Sequence, residues 1–206
     1  MIVVVDYKMG NPGSVMNMLK RIGANVILSS DTGDIERAEK LILPGVGAFD
    51  TGINNLSELG LISILNRKAL RDKTPILGIC LGMQLMTSRS EEGSLPGLGW
   101  IDAETIRFRF DSNEGIKSKI PHMGWNTVEI VHKHYLFDDM YPETRFYFVH
   151  SYYVRTNNDE DVLAKSFYGH QFVSAIARAN IAGVQFHPEK SHKFGMKLLA
   201  NFAHLS

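Results

Sequence analysis

Three short apolar runs stand out in the first part of the chain, at positions 2–5, 41–43 and 76–79. Polar residues do not alternate with the apolar ones inside them, which is typical of parallel strands covered by helices on both faces. Between these runs, apolar residues recur at helical spacing over 15–22 and 61–70. The first half is therefore predicted to be a doubly wound α/β sheet of alternating strands and helices.

The second half is predicted to be rich in β-strands that pair mainly in antiparallel fashion. The predicted strands cover 100–110, 126–130, 145–155, 162–167, 173–178 and 182–186. A last helix over 193–204 would turn inward the apolar residues Phe194, Leu198, Leu199, Phe202 and Leu205. The polar stretch 111–119 is predicted to be an exposed loop. Because no linker or repeat interrupts the pattern, we expect a single domain over residues 1–206.

Composition narrows the class of protein. The 22 basic and 22 acidic residues give a formal net charge of zero, which favours neither a nucleic-acid partner nor a membrane surface. No apolar run approaches the roughly 18 residues of a membrane span, and residues 1–6 lack the basic region of a signal peptide. The single cysteine excludes an intramolecular disulfide and fits a reducing compartment. We therefore expect a soluble, cytoplasmic protein.

The cysteine lies in the most informative segment of the chain. Cys80 follows a predicted buried strand and is flanked by Gly78 and Gly82, which reproduces the G-x-S-x-G turn with cysteine in place of serine. Glycines at this spacing make room for a strained strand-to-helix turn. A helix N-terminus would favour a thiolate, and the N–H of Leu81 would face a reacting carbonyl. A lone cysteine is more often structural, but the two glycines favour a nucleophile.

A nucleophilic cysteine needs a base and a group that orients the base. His187 ends a predicted strand, Pro188 stops that strand, and Glu189 can turn back toward the imidazole. Seven other histidines compete for this role. His187 is the best candidate because it has a carboxylate and a rigid proline beside it.

Two further kinds of loop are candidates for a binding site. Gly45 and Gly47 follow the second predicted strand, at the edge of the sheet where ligands bind in open α/β folds. A free backbone N–H there could complete an oxyanion hole, although a plain tight turn would look the same. The segments 121–126 and 147–152 are dense in aromatic and polar residues, which suits β core, a pocket or a partner surface.

Six segments together resemble class I, triad-type glutamine amidotransferases, and among these the HisH glutaminase subunits of imidazole glycerol phosphate synthase. The segments are DYKMGN (6–11), LPGVGAF (43–49), GICLGMQ (78–84), PHMGWN (121–126), FVHSY (148–152) and GVQFHPEKS (183–191). The cysteine turn and the His-Pro-Glu segment mark the superfamily, whereas PHMGWN is more specific to HisH. The resemblance spans essentially the whole chain and implies a flavodoxin-like amidotransferase fold.

The resemblance also implies roles for individual residues. The catalytic triad would be Cys80, His187 and Glu189, and the oxyanion hole would use the N–H groups of Val46 and Leu81. Glutamine would be held by Gly45, Gly47, Gln84, Ser151 and Tyr152. The residues facing the partner would be Asn11, Ser14, Trp125, Tyr147 and Lys190. No metal ion or cofactor is implied.

The implied partner is a HisF-like (β/α)8-barrel synthase subunit, which forms a heterodimer with the glutaminase. The barrel receives the ammonia and forms imidazole glycerol phosphate and an aminoimidazole carboxamide ribotide in histidine biosynthesis. The resemblance further implies weak activity without the partner, because one oxyanion N–H would point away until the partner docks.

The sequence departs from the family pattern in its first loop. Lys8 stands where glycine is usual, and Pro12 stands where an aliphatic residue is usual, so the surface offered to a barrel would differ. The segments 99–104 and 190–197 resemble HisH-like glutaminases that supply ammonia to a sugar amidotransferase in surface-polysaccharide biosynthesis. That acceptor is the alternative to the histidine pathway.

Two other classes of function fit the sequence less well. A hydrolase or peptidase acting alone is disfavoured by the aromatic segments around Trp125 and Tyr147, which suit a docking surface. A catalytically dead binding subunit is disfavoured because Cys80, His187 and Glu189 are all intact.

Overall fold

The computed structural model describes residues 1–110 and 119–205. The predicted loop 111–119 therefore lies outside the described residues except for Lys119. The first half alternates strands and helices in the order β1 (Ile2–Val5), α1 (Pro12–Arg21), β2 (Val26–Ser29), α2 (Thr32–Arg37), β3 (Lys40–Leu43), α3 (Phe49–Glu58), α4 (Leu61–Asn66), β4 (Ile76–Ile79) and α5 (Leu81–Leu85). A π-helical segment, Arg67–Arg71, follows α4 where the prediction continued one α-helix to residue 70.

Helix α1 begins three residues earlier than predicted. The side chain of Asn11 accepts a hydrogen bond from the N–H of Gly13 and so caps the helix. Pro12 occupies the first helical position, where its missing N–H removes no helical hydrogen bond. The sequence therefore carried a start signal in these two residues that apolar periodicity alone did not detect.

The parallel strands are buried on both faces, as their unbroken apolar runs predicted. The four strands lie in the order β2-β1-β3-β4, and each neighbouring pair is parallel. Val4 packs into the hydrophobic cluster on one side of the sheet, while Val3 and Val5 pack into the cluster on the other side. This arrangement confirms the doubly wound α/β class.

The second half continues the same sheet. Its elements are β5 (Arg89–Ser90), β6 (Ala103–Arg107), β7 (His122–Thr127), β8 (Glu129–Ile130), β9 (Arg145–His150), β10 (Tyr152–Thr156), β11 (Val162–Tyr168), β12 (His170–Arg178), β13 (Ile181–Val184) and α6 (His192–Ala203). Strand β13 pairs in parallel with β4, and β12, β10 and β6 continue the sheet in antiparallel fashion. Strands β7 and β9 form a separate antiparallel pair.

Several predicted boundaries differ from the observed ones. The predicted strand 145–155 is broken at Ser151 into β9 and β10, which belong to different sheets. Strand β2 was not predicted because it lies at the edge of the sheet, where Leu28 is 40% exposed and Ser29 interrupts the apolar run.

The last helix buries Phe194, Leu198, Leu199 and Phe202 as predicted, but Leu205 lies beyond its end and is only half-buried. Among the described residues, no helix combines the length and the apolar character needed to cross a membrane.

Candidate active site

Cys80 lies on a strained turn between β4 and α5. Its backbone φ is +52°, a left-handed value that is unfavourable for a residue with a Cβ. The turn depends on its glycines: a Cβ at Gly82 would overlap the carbonyl oxygen of Leu43, and a Cβ at Gly78 would lie 2.7 Å from the backbone nitrogen of Met83. The turn therefore has the strained geometry that the G-x-C-x-G spacing predicted.

His187 and Glu189 form a buried pair at the end of β13. The Nδ1 atom of His187 lies 2.7 Å from Oε1 of Glu189, and the two side chains are 1% and 7% exposed. The backbone N–H of His187 donates to the carbonyl of Tyr147 at 2.9 Å, which fixes the position of the histidine against β9. Glu189 therefore holds Nδ1 of the imidazole and leaves Nε2 free for other chemistry.

The electrostatics of this pair extend to the cysteine. Burial alone would lower the pKa of His187, but the negative charge of an ionised Cys80 and the carboxylate of Glu189 outweigh it and raise the pKa to about 10. The Nε2 atom is buried and has no hydrogen bond of ordinary geometry within the described part of the chain. The imidazolium form of His187 is thus favoured, and its Nε2 atom carries a proton that can be given to a reacting group.

A cavity of about 250 Å³ opens over the cysteine. Its lining residues are Val46, Gly47, Cys80, Leu81, Gln84, Glu92, Pro121, Val149, His150, Ser151 and Tyr152. The structure thus brings together at one cavity seven of the predicted site residues: Val46, Gly47, Cys80, Leu81, Gln84, Ser151 and Tyr152. Gly45 lies buried beside Leu81. His187 and Glu189 are not among the residues that line the cavity, but His187 lies close enough to Cys80 for the sulfur to influence its pKa.

The two expected oxyanion donors do not converge in this structure. The N–H of Leu81 donates to the carbonyl oxygen of Gly45 at 3.3 Å. Because a trans peptide unit is planar, the N–H of Val46 points in the direction opposite to that carbonyl, and so away from Leu81. A rotation of the peptide between Gly45 and Val46 would release the first donor and bring in the second.

The residues expected to face a partner lie near the segment that carries His187. The indole of Trp125 and the ring of Tyr147 lie 6.5 Å apart, and Nζ of Lys190 lies 5.8 Å from the Tyr147 ring. His192, which was not predicted, stacks on Trp125 with ring centroids 5.5 Å apart. Asn11 and Ser14 lie at the start of α1, which packs against the turn Pro188–Lys190. The partner-facing candidates are therefore connected to the segment that carries His187.

Four residues of the cavity were not predicted as site residues: Glu92, and also Pro121, Val149 and His150, which lie in the aromatic segments 121–126 and 147–152. Glu92 lies at the mouth of the cavity, and its carboxylate accepts a hydrogen bond from the N–H of Phe49 at 2.9 Å. Nothing in the local sequence distinguishes Glu92 from Glu91, so only the fold identifies it. His150 was part of a segment noted for its aromatics, but its burial and its place in the cavity were not predicted.

Comparisons with known proteins agree with this geometry. A family model of class I glutamine amidotransferases matches residues 3–205. Imidazole glycerol phosphate synthase subunit HisH 2 of Methanococcus maripaludis is 55% identical over 98% of both chains. The protein of the same name in Pseudomonas aeruginosa is 50% identical over the full length of both.

A solved structure described as a glutamine amidotransferase aligns with this chain over the full length of both. The TM-score is 0.73 and the identity is 18%, which supports the fold. The fold and the relatives together identify the family. The chain belongs to the class I glutamine amidotransferases, within the family of HisH glutaminase subunits.

Proposed function

We propose that this chain forms a single glutaminase domain, residues 1–206, that hydrolyses L-glutamine to glutamate and ammonia at Cys80. The observation that carries the proposal is the strained cysteine turn in the wall of a cavity, with the buried His187–Glu189 pair close to its sulfur. A cysteine, a histidine and a carboxylate in this relation are the parts needed for nucleophilic acyl transfer.

The mechanism uses each of these residues once in each half-reaction. The thiolate of Cys80 attacks the side-chain amide carbon of glutamine and forms a tetrahedral intermediate. The imidazolium of His187 gives its Nε2 proton to the departing ammonia, which leaves a γ-glutamyl thioester. The neutral imidazole then takes a proton from water, the resulting hydroxide attacks the thioester, and glutamate leaves as the thiolate re-forms. Glu189 holds the imidazole in place throughout.

The cavity suits a free amino acid. Gln84, Ser151 and Tyr152 offer polar atoms beside Cys80, and Gly47 brings backbone to the opposite wall. Glu92 places a carboxylate at the mouth, where it would pair with the α-ammonium group of glutamine. A peptide substrate would lack that ammonium group, so this arrangement favours glutamine over a peptide bond.

The orientation of the Gly45 carbonyl supports weak activity of the isolated chain. With Leu81 donating to Gly45, neither proposed donor faces the position of the oxyanion. Removing one such donor typically costs a factor of about 10²–10³ in turnover. We infer that docking of a partner rotates this peptide, since the first loop touches it: a Cβ at Gly10 would lie 2.8 Å from the nitrogen of Val46.

The partner would be a HisF-like (β/α)8-barrel synthase subunit that accepts the ammonia in histidine biosynthesis. The names of the relatives support this proposal, as does the aromatic cluster around Trp125. We expect both subunits to act in the cytoplasm, where the thiol of Cys80 stays reduced.

One observation favours a second acceptor, a sugar amidotransferase of surface-polysaccharide biosynthesis. Lys8 is exposed and has a φ of +62°, a conformation that suits the glycine usual in the family. A lysine that tolerates this conformation changes the charge of the loop next to Gly10. Such a change fits a barrel whose surface differs from that of the histidine-pathway subunit.

Ammonia transfer tests the function and the acceptor together. Glutamine labelled with ¹⁵N in its amide is supplied to the chain with each purified barrel subunit in turn, in an excess of unlabelled ammonium. We expect release of glutamate and ¹⁵N in the product of one barrel only. Transfer to the sugar amidotransferase alone would select the second acceptor, whereas absence of glutamate release with both barrels would refute the proposed function.

A further inference from the structure

We propose that Gln185 is a positioning residue that holds the thiolate of Cys80 through its side-chain amide. Gln185 is fully buried at the end of β13, and its Nε2 atom lies 3.5 Å from the sulfur of Cys80. It belongs to neither the expected triad nor the expected glutamine-binding set. The inference rests on the proposed role of Cys80 as the nucleophile.

The direction of the hydrogen bond to the sulfur follows from its neighbours. The carbonyl oxygen of Tyr152 can only accept, so the nitrogen of the Gln84 side chain faces it, at 3.2 Å. The same nitrogen lies 3.1 Å from the side chain of Gln185 and donates its second proton there, so the atom that receives it is Oε1. The other end of the Gln185 amide, its NH₂ group, must then face Cys80. The side-chain amides of Gln84 and Gln185 thus form a hydrogen-bonded relay, and the backbone carbonyl of Tyr152 sets the direction of its hydrogen bonds.

This relay would stabilise the ionised form of the cysteine. A thiolate accepts hydrogen bonds more strongly than a thiol, so a fixed donor favours the charged form. The donor comes from the side of β13, and it adds to the charge of His187, two residues further along the chain. Because both amides are buried, their positions are set by packing and they need no reorganisation when the thiolate forms.

The relay also joins the nucleophile to the glutamine loop. The carbonyl of Tyr152 accepts a second hydrogen bond, from Nδ1 of His150 at 2.7 Å, so it holds two donors at once. The segment that would bind glutamine is therefore connected, through hydrogen bonds to Gln84, with the Gln185 amide that faces the sulfur. A role in filling the core alone would not require the NH₂ group of Gln185 to face Cys80.

The test is the pH dependence of alkylation by iodoacetamide. Cys80 is the only cysteine of the chain, so mass spectrometry of the intact full-length protein reports this thiol alone. We expect the midpoint of the profile to rise by about one pH unit in Gln185→Met, which lacks the donor. It should rise further in Gln185→Glu, which places a carboxylate beside the sulfur. In both variants kcat for glutamine should fall about 10-fold with little change in KM.

Asn180→Ala provides the matched control. The Asn180 amide donates to the carbonyls of Ala69 and Thr74 at the opposite end of β13, so its loss removes hydrogen bonds far from the sulfur. Its alkylation midpoint should equal that of the wild type. Equal midpoints in folded Gln185→Met and Gln185→Glu would overturn the proposal.

A measurement on the wild type covers the case in which the variants fail to fold. The NMR signals of the Gln185 side-chain amide should shift as the thiol titrates and should shift again on alkylation; signals that stay constant would equally overturn the proposal. Alkylation needs no glutamine turnover, so failure of the glutaminase proposal would be seen separately.

Discussion

The Cys80 turn and the Gly45–Gly47 loop follow neighbouring strands of the same sheet, but they are held in different ways. Cys80, Gly78 and Gly82 are buried, and the backbone around them leaves no room for a side chain at either glycine. Val46 is 46% exposed, and the orientation of the peptide before it is linked to Leu81 by one hydrogen bond of 3.3 Å. Packing thus fixes the nucleophile, whereas the direction of the Gly45 carbonyl depends on one long hydrogen bond to Leu81.

The two regions therefore have different roles in the site. The buried turn assembles the parts that must be accurate, which are the sulfur, the imidazole and the carboxylate. Rotation of the peptide between Gly45 and Val46 breaks the hydrogen bond to Leu81, and a docking partner would supply the free energy for that rotation. A glutaminase arranged in this way would release little ammonia to water before its acceptor is bound.

Removing the nucleophile should have the largest effect and tests whether the buried turn carries the chemistry. Cys80→Ala should lower glutamate release by at least about 10⁴-fold, because it removes the sulfur that attacks the amide carbon of glutamine. Binding to the barrel partner, measured by calorimetry, should match the wild type, because Cys80 is only 6% exposed. Full glutamine turnover by this variant would contradict the assignment of the nucleophile.

Adding the partner tests the exposed loop. Saturating barrel subunit should raise glutamate release by about 10²–10³-fold, the size expected when an oxyanion donor is restored. Trp125→Ala provides the control, since it removes the ring that stacks on His192 without touching the cavity. It should require more partner for half-activation but reach the same plateau. High turnover by the isolated chain would show that the loop does not limit activity.

A pair of glycine substitutions compares the two regions directly. Gly82→Ala should lower the free energy of unfolding by about 3 kcal/mol or more, because the new Cβ meets the backbone carbonyl of Leu43. Gly47→Ala should cost about 1 kcal/mol, since its φ of +137° is unfavourable but its Cβ would meet only the end of the Met9 side chain. Urea denaturation measures both. Equal losses would mean that the loop is packed as tightly as the turn.

The sequence predicted the buried turn better than the exposed loop, and the reason is physical. Strand β4 and the spacing of Gly78, Cys80 and Gly82 are local patterns that burial and strain impose on the sequence. The direction of the Gly45 carbonyl leaves no such pattern, because both orientations of a peptide between glycine and valine use the same residues. Only the three-dimensional structure shows which one is present.

Contacts between residues far apart along the chain could not be predicted from the sequence either. Gln185 and Gln84 lie 101 residues apart, and no periodicity connects them. Glu92 reaches the cavity only because the chain after α5 folds back over α3, where its carboxylate meets Phe49. The His187–Glu189 pair could be proposed because its members are two residues apart, whereas the family resemblance was needed to name glutamine as the substrate.

The smallest expected effect is a change in the pKa of His187. It tests whether the sulfur of Cys80 and the imidazole of His187 already lie together before the partner docks. In Cys80→Ala the pKa of His187 should fall below about 10, because the cysteine charge is the largest factor raising it; Glu189→Gln should cause a smaller fall. NMR titration of the imidazole in the isolated chain measures both. The folded pKa lies above 6.5, so the imidazolium stabilises the fold below pH 6.5 and this contribution disappears as the pH rises toward 10. The difference in Tm between wild type and His187→Gln should shrink over the same window. An unchanged His187 pKa in Cys80→Ala would mean that the sulfur and the imidazole come together only after the partner docks.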